Sequence, residues 1–174
     1  MDLRRTLLLF SFIFTGSLAI AQPKDRWTIQ DGGAIRWSIN DNIPHDDHLE
    51  MSGQQLSVVL RYGVDAQKRF HLNRSLVFPM LRMHPNKTQN NLKQRFDVNI
   101  PALVTVDDQT LLNEEVRDVT FNGIMRVESS FGYIYRRKEL KDAVQLTRVL
   151  YPSTNAAHYC EEYTFKNSSP NQIT

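Results

Sequence analysis

Two consecutive runs constrain this chain more than anything else in it. In LSVVLRYGV, residues 56–64, Leu56, Val58, Leu60 and Tyr62 fall on one side of an extended chain, with Ser57, Val59 and Arg61 on the other. After a turn at Asp65-Ala66-Gln67, RFHLNRSLVFP repeats the pattern through Phe70, Leu72, Leu76 and Phe78, interrupted only by Arg74. Period-two alternation places every second side chain on one face of a sheet, so it encodes a strand with one buried face. Two such runs joined by a short polar turn form an antiparallel hairpin, and a hairpin needs further strands to bury its apolar side.

The rest of the chain supplies them. RWTIQ and AIRWSI flank Asp31-Gly32-Gly33, which suits a hairpin turn. LKQRFDV alternates through Leu92, Phe96 and Val98; ALVTV precedes a turn at Asp107-Asp108-Gln109. EVRDVTF and IMRV surround Asn122-Gly123, and AVQLTRVLY and HYCEEYTF are joined by Pro152-Ser153-Thr154-Asn155. Only DQTLLNEEVRDV offers helical spacing, through Leu112, Val116 and Val119, and its neighbours are all strand-like, so it reads as strand and loop. Eight to ten close-set strands make the expected fold all-β, an antiparallel sandwich or barrel, of which the β-sandwich is the expectation carried forward. The terminal EYTFKNSSPNQIT finishes a strand and adds no further one, so the sandwich is expected to be incomplete at its C-terminal side, with an uncovered edge.

The N-terminus reads differently. Arg4 and Arg5 precede an apolar stretch from Leu7 to Leu18, and Ala19-Ile20-Ala21 gives a small-x-small site. These are the three parts of a secretory signal peptide, expected over residues 1–21, with the sandwich domain over 22–174. The apolar stretch is too short for a stable span, so no membrane span is expected, and the mature chain is placed in the periplasm or outside the cell. The formal net charge is +2, with acids and bases interspersed. No basic stripe exists to follow a phosphate backbone, which argues against nucleic acid as a partner. Cys160 is the one cysteine, so the domain must hold together by apolar burial. Its alternating context suggests a small core residue.

NIPHDDHLEMSG, residues 42–53, concentrates His45, Asp46, Asp47, His48 and Glu50. On an extended chain Asp46, His48 and Glu50 share one face, and His45 and Asp47 the other. A zinc site draws ligands from more than one segment, HExxH is absent, and Pro44 opposes a helix, so no metal or other cofactor is expected. The stretch reads as a polar loop leading into the strand at Leu56, free to line a ligand groove. Asp107-Asp108, Glu114-Glu115 and Glu161-Glu162 are adjacent pairs that point to opposite faces of a strand; they suit solvated turn and edge positions. A glycosidic acid/base pair instead needs two carboxyls facing one bond. No nucleophile elbow or phosphate loop occurs, and no catalytic residue is assigned. Among the aromatics, Tyr133 and Tyr135 stand beside four charged residues and are the expected exposed pair.

Three segments together, IPHDDHLEMSG with LSVVLRYGV, RSLVFPMLRMHPNKTQNNL, and VQLTRVLYPSTNAAHYCEEYTFKNSS, resemble the N-terminal region of secreted six-hairpin, (α/α)6-barrel glycoside hydrolases of Bacteroidota. The resemblance covers most of residues 27–169. It implies a β-supersandwich that precedes a helical catalytic barrel in that family and lends loops to the rim of its active site. It also implies that the catalytic carboxylates lie in the barrel, so none is carried onto this chain. His45, His48, Arg82, His84 and Asn86, in the best-matching polar segments, are the implied contacts with carbohydrate or with a neighbouring domain.

The expected function is therefore a non-catalytic sandwich domain of an exported polysaccharide-degrading glycoside hydrolase. Its expected partners are a polysaccharide or oligosaccharide and an (α/α)6 catalytic domain, with no hydrolase activity in this chain alone. A stand-alone carbohydrate-binding module and an envelope interaction protein remain open as alternatives.

Overall fold

The computed structural model describes residues 26–78, 93–96 and 98–171. Among them the chain is strand after strand, with a single 3-10 turn at Ile100–Leu103 and no α-helix. The strands are β1 (Thr28–Ile29), β2 (Ile35–Ser38), β3 (His45–Ser52), β4 (Ser57–Val64), β5 (Phe70–Val77) and β6 (Lys93–Phe96). They continue with β7 (Thr105–Val106), β8 (Gln109–Thr110), β9 (Leu112–Phe121), β10 (Met125–Tyr135), β11 (Lys138–Pro152) and β12 (Tyr159–Asn167). Every pairing is antiparallel. The large sheet runs β1-β2-β9-β10-β11-β12, the small one β3-β4-β5-β6, and β7-β8 form a separate hairpin. No helix among the described residues is long and apolar enough to cross a membrane. The signal-peptide expectation lies outside the described residues.

The expected β4–β5 hairpin forms in full register, from Ser57 opposite Val77 to Val64 opposite Phe70. Its inward residues Val58, Leu60, Tyr62 and Val64 are buried against Val116, Val119, Met125, Val127 and Leu150 of the large sheet. Two sheets thus face each other across an apolar layer, the all-β sandwich that the alternation predicts. The large sheet reaches further than the small one. Its far half packs a second cluster, Phe131, Tyr133, Val144 and Leu146, against Val106 of the β7–β8 hairpin and Leu111.

The helix-like spacing of residues 112–119 has a structural cause. In β9, Ser129 pairs with Val116 while Glu128 pairs with Asp118, so Arg117 is an extra residue, a β-bulge. The bulge re-phases the strand. Val116 and Val119, three apart, are therefore both buried, which period two alone forbids. A second irregularity surrounds Gly132, where β11 also slips and Asp142 takes a φ of 54°.

The stretch NIPHDDHLEMSG corrects the expectation. It is not a loop before the first long strand; His45–Ser52 is itself strand β3, paired residue for residue with β4 from His45 opposite Val64 to Ser52 opposite Ser57. Its inward positions are His45, Asp47, Leu49 and Met51, and only the last two are apolar, so alternation of hydrophobicity fades at its start. The turn that follows is tight. A Cβ on Gly53 would overlap the carbonyl oxygen of Ser153, and the Gly53 amide donates to Leu56 O at 2.8 Å.

Candidate functional site

Two polar constellations stand out, one on the outer face of the small sheet and one between the sheets. The outer face follows from register. Asp46, Gly63 and His71 form one cross-strand row; His48, Arg61 and Asn73 form the next; Glu50, Val59 and Ser75 the third. Apart from Val59 this surface is polar, and it shapes a shallow hollow of about 440 Å³ bordered by Asp46, His48, Arg61, His71 and Asn73.

The first row contains an unusual pairing. His71 Nε2 donates to Asp46 Oδ1 at 2.5 Å although strand β4 separates their strands. A carboxylate only accepts, so Nε2 carries the proton. Gly63 makes the approach possible: a Cβ at that position would overlap both Asp46 Oδ1 and the His71 ring. The pair lies at the surface, as does His48, which is 4.0 Å from Asp47 through Nδ1.

His45, on the opposite face of β3, belongs elsewhere. Its ring packs edge-on against Trp37, with centroids 4.9 Å apart, and Arg26 donates through Nη1 to His45 Nδ1. Arg26 also covers the Trp37 ring at 5.3 Å. Nδ1 is thus an acceptor and Nε2 holds the proton, buried without a hydrogen bond, 3.6 Å from Asp47 Oδ2. Of the five expected contact residues, the sheet places His48 on the outer hollow and His45 inside beside Trp37. Arg82, His84 and Asn86 lie outside the described residues. No group of three or more metal-ligating side chains occurs among the described residues.

The second constellation went unpredicted. Arg74, on β5, points inward and is 3% exposed. It donates through Nε to Glu161 Oε1, through Nη2 to Glu161 Oε2 at 2.9 Å and Tyr163 Oη at 3.0 Å, and through Nη1 to Val98 O at 3.1 Å. Tyr163 in turn donates to Glu161 Oε2 at 2.6 Å. Arg148, on β11 and equally buried, donates through Nη1 to Glu114 Oε1 at 2.5 Å and Ser129 Oγ at 3.1 Å, with its guanidinium over the Phe70 ring at 5.2 Å. Buried charges survive only when paired and hydrogen-bonded, and here each arginine has its own carboxylate. Burial pushes the Tyr163 hydroxyl up to about 12, helped by its bond to Glu161. Burial lowers the affinity of Arg74 for its proton, yet the bond to Glu161 outweighs it and the net shift is upward.

These groups form a polar layer between the two apolar clusters, and Arg74, Arg148 and Tyr163 line a cavity of about 230 Å³ with Phe70, Asn99 and Pro101. The placement corrects two expectations. Glu161 and Glu114 are not solvated edge positions; both turn inward to an arginine. Their adjacent partners behave as expected on a strand, Glu162 accepting from Tyr151 Oη on the other side at 2.5 Å. The expected exposed pair Tyr133–Tyr135 is also revised. Tyr133 is buried and donates to Asp107 Oδ2 at 2.5 Å, which raises its hydroxyl to about 12, and only Tyr135 is half-exposed, under the Arg136 guanidinium. Cys160 is a free, half-buried thiol at the margin of the core.

Comparison with family models, with curated proteins and with solved structures returns no match for this chain.

Proposed function

We propose that this chain is a non-catalytic β-sandwich module of an exported polysaccharide-degrading protein, and that it contacts carbohydrate through the outer face of β3-β4-β5. One observation carries the reading: two adjacent cross-strand rows present Asp46, His71, His48, Arg61 and Asn73 over a single shallow hollow. A sugar offers hydroxyls that both donate and accept, and it is recognised by planar polar groups of both kinds held at fixed spacing. Carboxylate, imidazole, guanidinium and carboxamide meet that need here, on strands rather than on loops, which fixes their geometry. Among the described residues β12 is the outermost strand of the large sheet, and that edge supports attachment of a partner domain such as an (α/α)6 barrel. The inward carboxylates Glu114 and Glu161 are engaged by arginines, in keeping with a role in support rather than hydrolysis.

The test is a glycan array on the full chain, followed by titration calorimetry on the best ligand. His48→Ala and Arg61→Ala should each weaken binding about tenfold, the loss of one or two charge-assisted hydrogen bonds. An array with no binder, or affinities unchanged in both variants, removes the outer face from consideration. Turnover of a glycan that a point substitution in this chain abolishes would overturn the non-catalytic reading.

A further inference from the structure

The two buried arginines line one cavity but use their donors differently. A guanidinium has a side-on fork, Nε with Nη2, whose two parallel N–H groups match the two oxygens of a carboxylate. The Arg74 fork is filled: Nε and Nη2 both donate to the Glu161 carboxylate. Arg148 spends only Nη1, on Glu114 and Ser129. Its own fork takes no partner among the described residues. Yet Arg148 is 3% exposed and forms part of the wall of the 230 Å³ cavity, its guanidinium plane held by the Phe70 ring. The fork nitrogens are not fully sealed, so the cavity brings water or a ligand to them.

The geometry points to a ligand site: the cavity takes a carboxylate-bearing small molecule, its carboxylate on the Arg148 fork as Glu161 sits on that of Arg74. The volume suits a body of about one monosaccharide, and small-molecule sites are cavities of this order. Asn99 and Tyr163 also line the cavity, polar groups for the remainder of such a ligand. Entry is through the adjoining wider hollow of about 390 Å³, which shares Phe70, Asn99 and Pro101. The charges of Arg74, Arg148, Glu161 and Glu114 cancel, so the incoming carboxylate is held by the fork itself rather than by a surplus of positive charge. Two sources share this chemistry, acidic sugars and non-sugar carboxylic acids. The site stands apart from the outer-face reading and does not depend on it.

The experiment follows the Arg148 Nε–H resonance of the ¹⁵N-labelled full chain, assigned by its disappearance in Arg148→Lys, during titration with galacturonate, galactose and acetate. The site predicts that galacturonate or acetate moves this resonance in a saturable way and that galactose, without a carboxylate, binds at least about tenfold more weakly. Galacturonate stronger than acetate names an acidic sugar as the source; equal affinities name a simple carboxylate. Arg148→Lys keeps the charge but lacks the fork, and should weaken binding about tenfold or more, while His48→Ala and Arg61→Ala leave it unchanged. If no arginine Nε–H resonance of the parent chain moves under saturating galacturonate and acetate, the proposal is overturned with no assignment and no variant needed. Equal affinity for galactose, or full affinity in a folded Arg148→Lys, overturns it as well. A blank glycan array beside a moving Arg148 resonance would remove the outer face and keep this cavity.

Discussion

His71 and Asp46 meet at 2.5 Å across an intervening strand, and the residue between them in that strand is Gly63. Next-but-one strands are normally about 9–10 Å apart, so side chains bridge them only where the middle strand offers nothing in the way. Gly63 is that gap. Gly63→Ala should cost about 1–3 kcal/mol, the usual penalty for forcing an atom into occupied space, because its Cβ overlaps both partners. Asp46→Asn should cost less than about 1 kcal/mol, since both groups face water. Urea denaturation of the two variants checks the order. A Gly63→Ala variant as stable as the parent would mean that the bridge yields freely.

The Arg74–Glu161 pair gives the opposite expectation for size. Both groups are buried, so Glu161→Gln or Arg74→Met alone strands a desolvated charge and should cost about 3–5 kcal/mol. Combining Arg74→Met with Glu161→Leu removes both charges and should recover most of that loss. A double-mutant cycle in urea measures the coupling, and strictly additive losses would show that the two side chains act independently.

The β10–β11 hairpin turns on Arg136 and Arg137, with φ of 49° and 67°. This two-residue, left-handed turn is the one that Asn-Gly fills best, and arginine carries a Cβ penalty there. Arg136→Asn with Arg137→Gly should therefore raise stability by about 1 kcal/mol, read as a higher melting temperature. The cation–π contact of Arg136 with Tyr135 is lost in the same variant and limits the gain.

Acid should remove stabilisation that two carboxylates of the large sheet supply. Burial works to raise the Asp118 carboxyl, but hydrogen bonds from Arg36 at 2.7 Å and Ser38 at 2.7 Å hold it below its ordinary 3.8. The hydrogen bond from Ser130 at 2.6 Å, with Arg117 beside it, lowers Asp142 likewise. A carboxyl depressed on folding binds fewer protons folded than unfolded near its titration, so its contribution is complete above 3.8 and is lost as the pH falls through the lower folded value. Between about pH 4 and 2 the stability of the parent should fall more steeply than that of Asp118→Asn. Parallel curves would show that the Arg36 pair contributes nothing.

Much of this architecture was legible beforehand, and the misses have physical reasons. Strands β4, β5, β11 and β12 announce themselves because most of their inward positions are apolar at every second residue. Strand β3 does not, because His45 and Asp47 occupy inward positions beside Trp37 at the sheet margin. The polar layer left a trace: Arg74 breaks the apolar series of β5, and Arg148 breaks Val144, Leu146 and Leu150 in β11. What no local pattern reveals is the partner, since Glu161 lies 87 residues from Arg74 and Glu114 lies 34 from Arg148. Tyr133 misled because charged neighbours suggested a surface, whereas its period with Phe131 already pointed it inward. The outer-face row escaped for a related reason: His71 and Asp46 are brought together by register, and Gly63 gives the only local sign.

Strands β10 and β11 run unbroken from one apolar cluster, past the polar layer, into the other. Side-chain packing is therefore divided into two bodies, while the β10–β11 ladder runs in register from Met125–Leu150 in the first to Phe131–Val144 in the second. Melting of the far cluster would pull on hydrogen bonds that the near cluster holds closed, so amide protons in the middle of β10 and β11 share the fate of both halves. The two arginines sit at that seam, where a local opening would first admit water. Whatever tightens the seam, a filled fork on Arg148 included, stiffens the molecule along its full length.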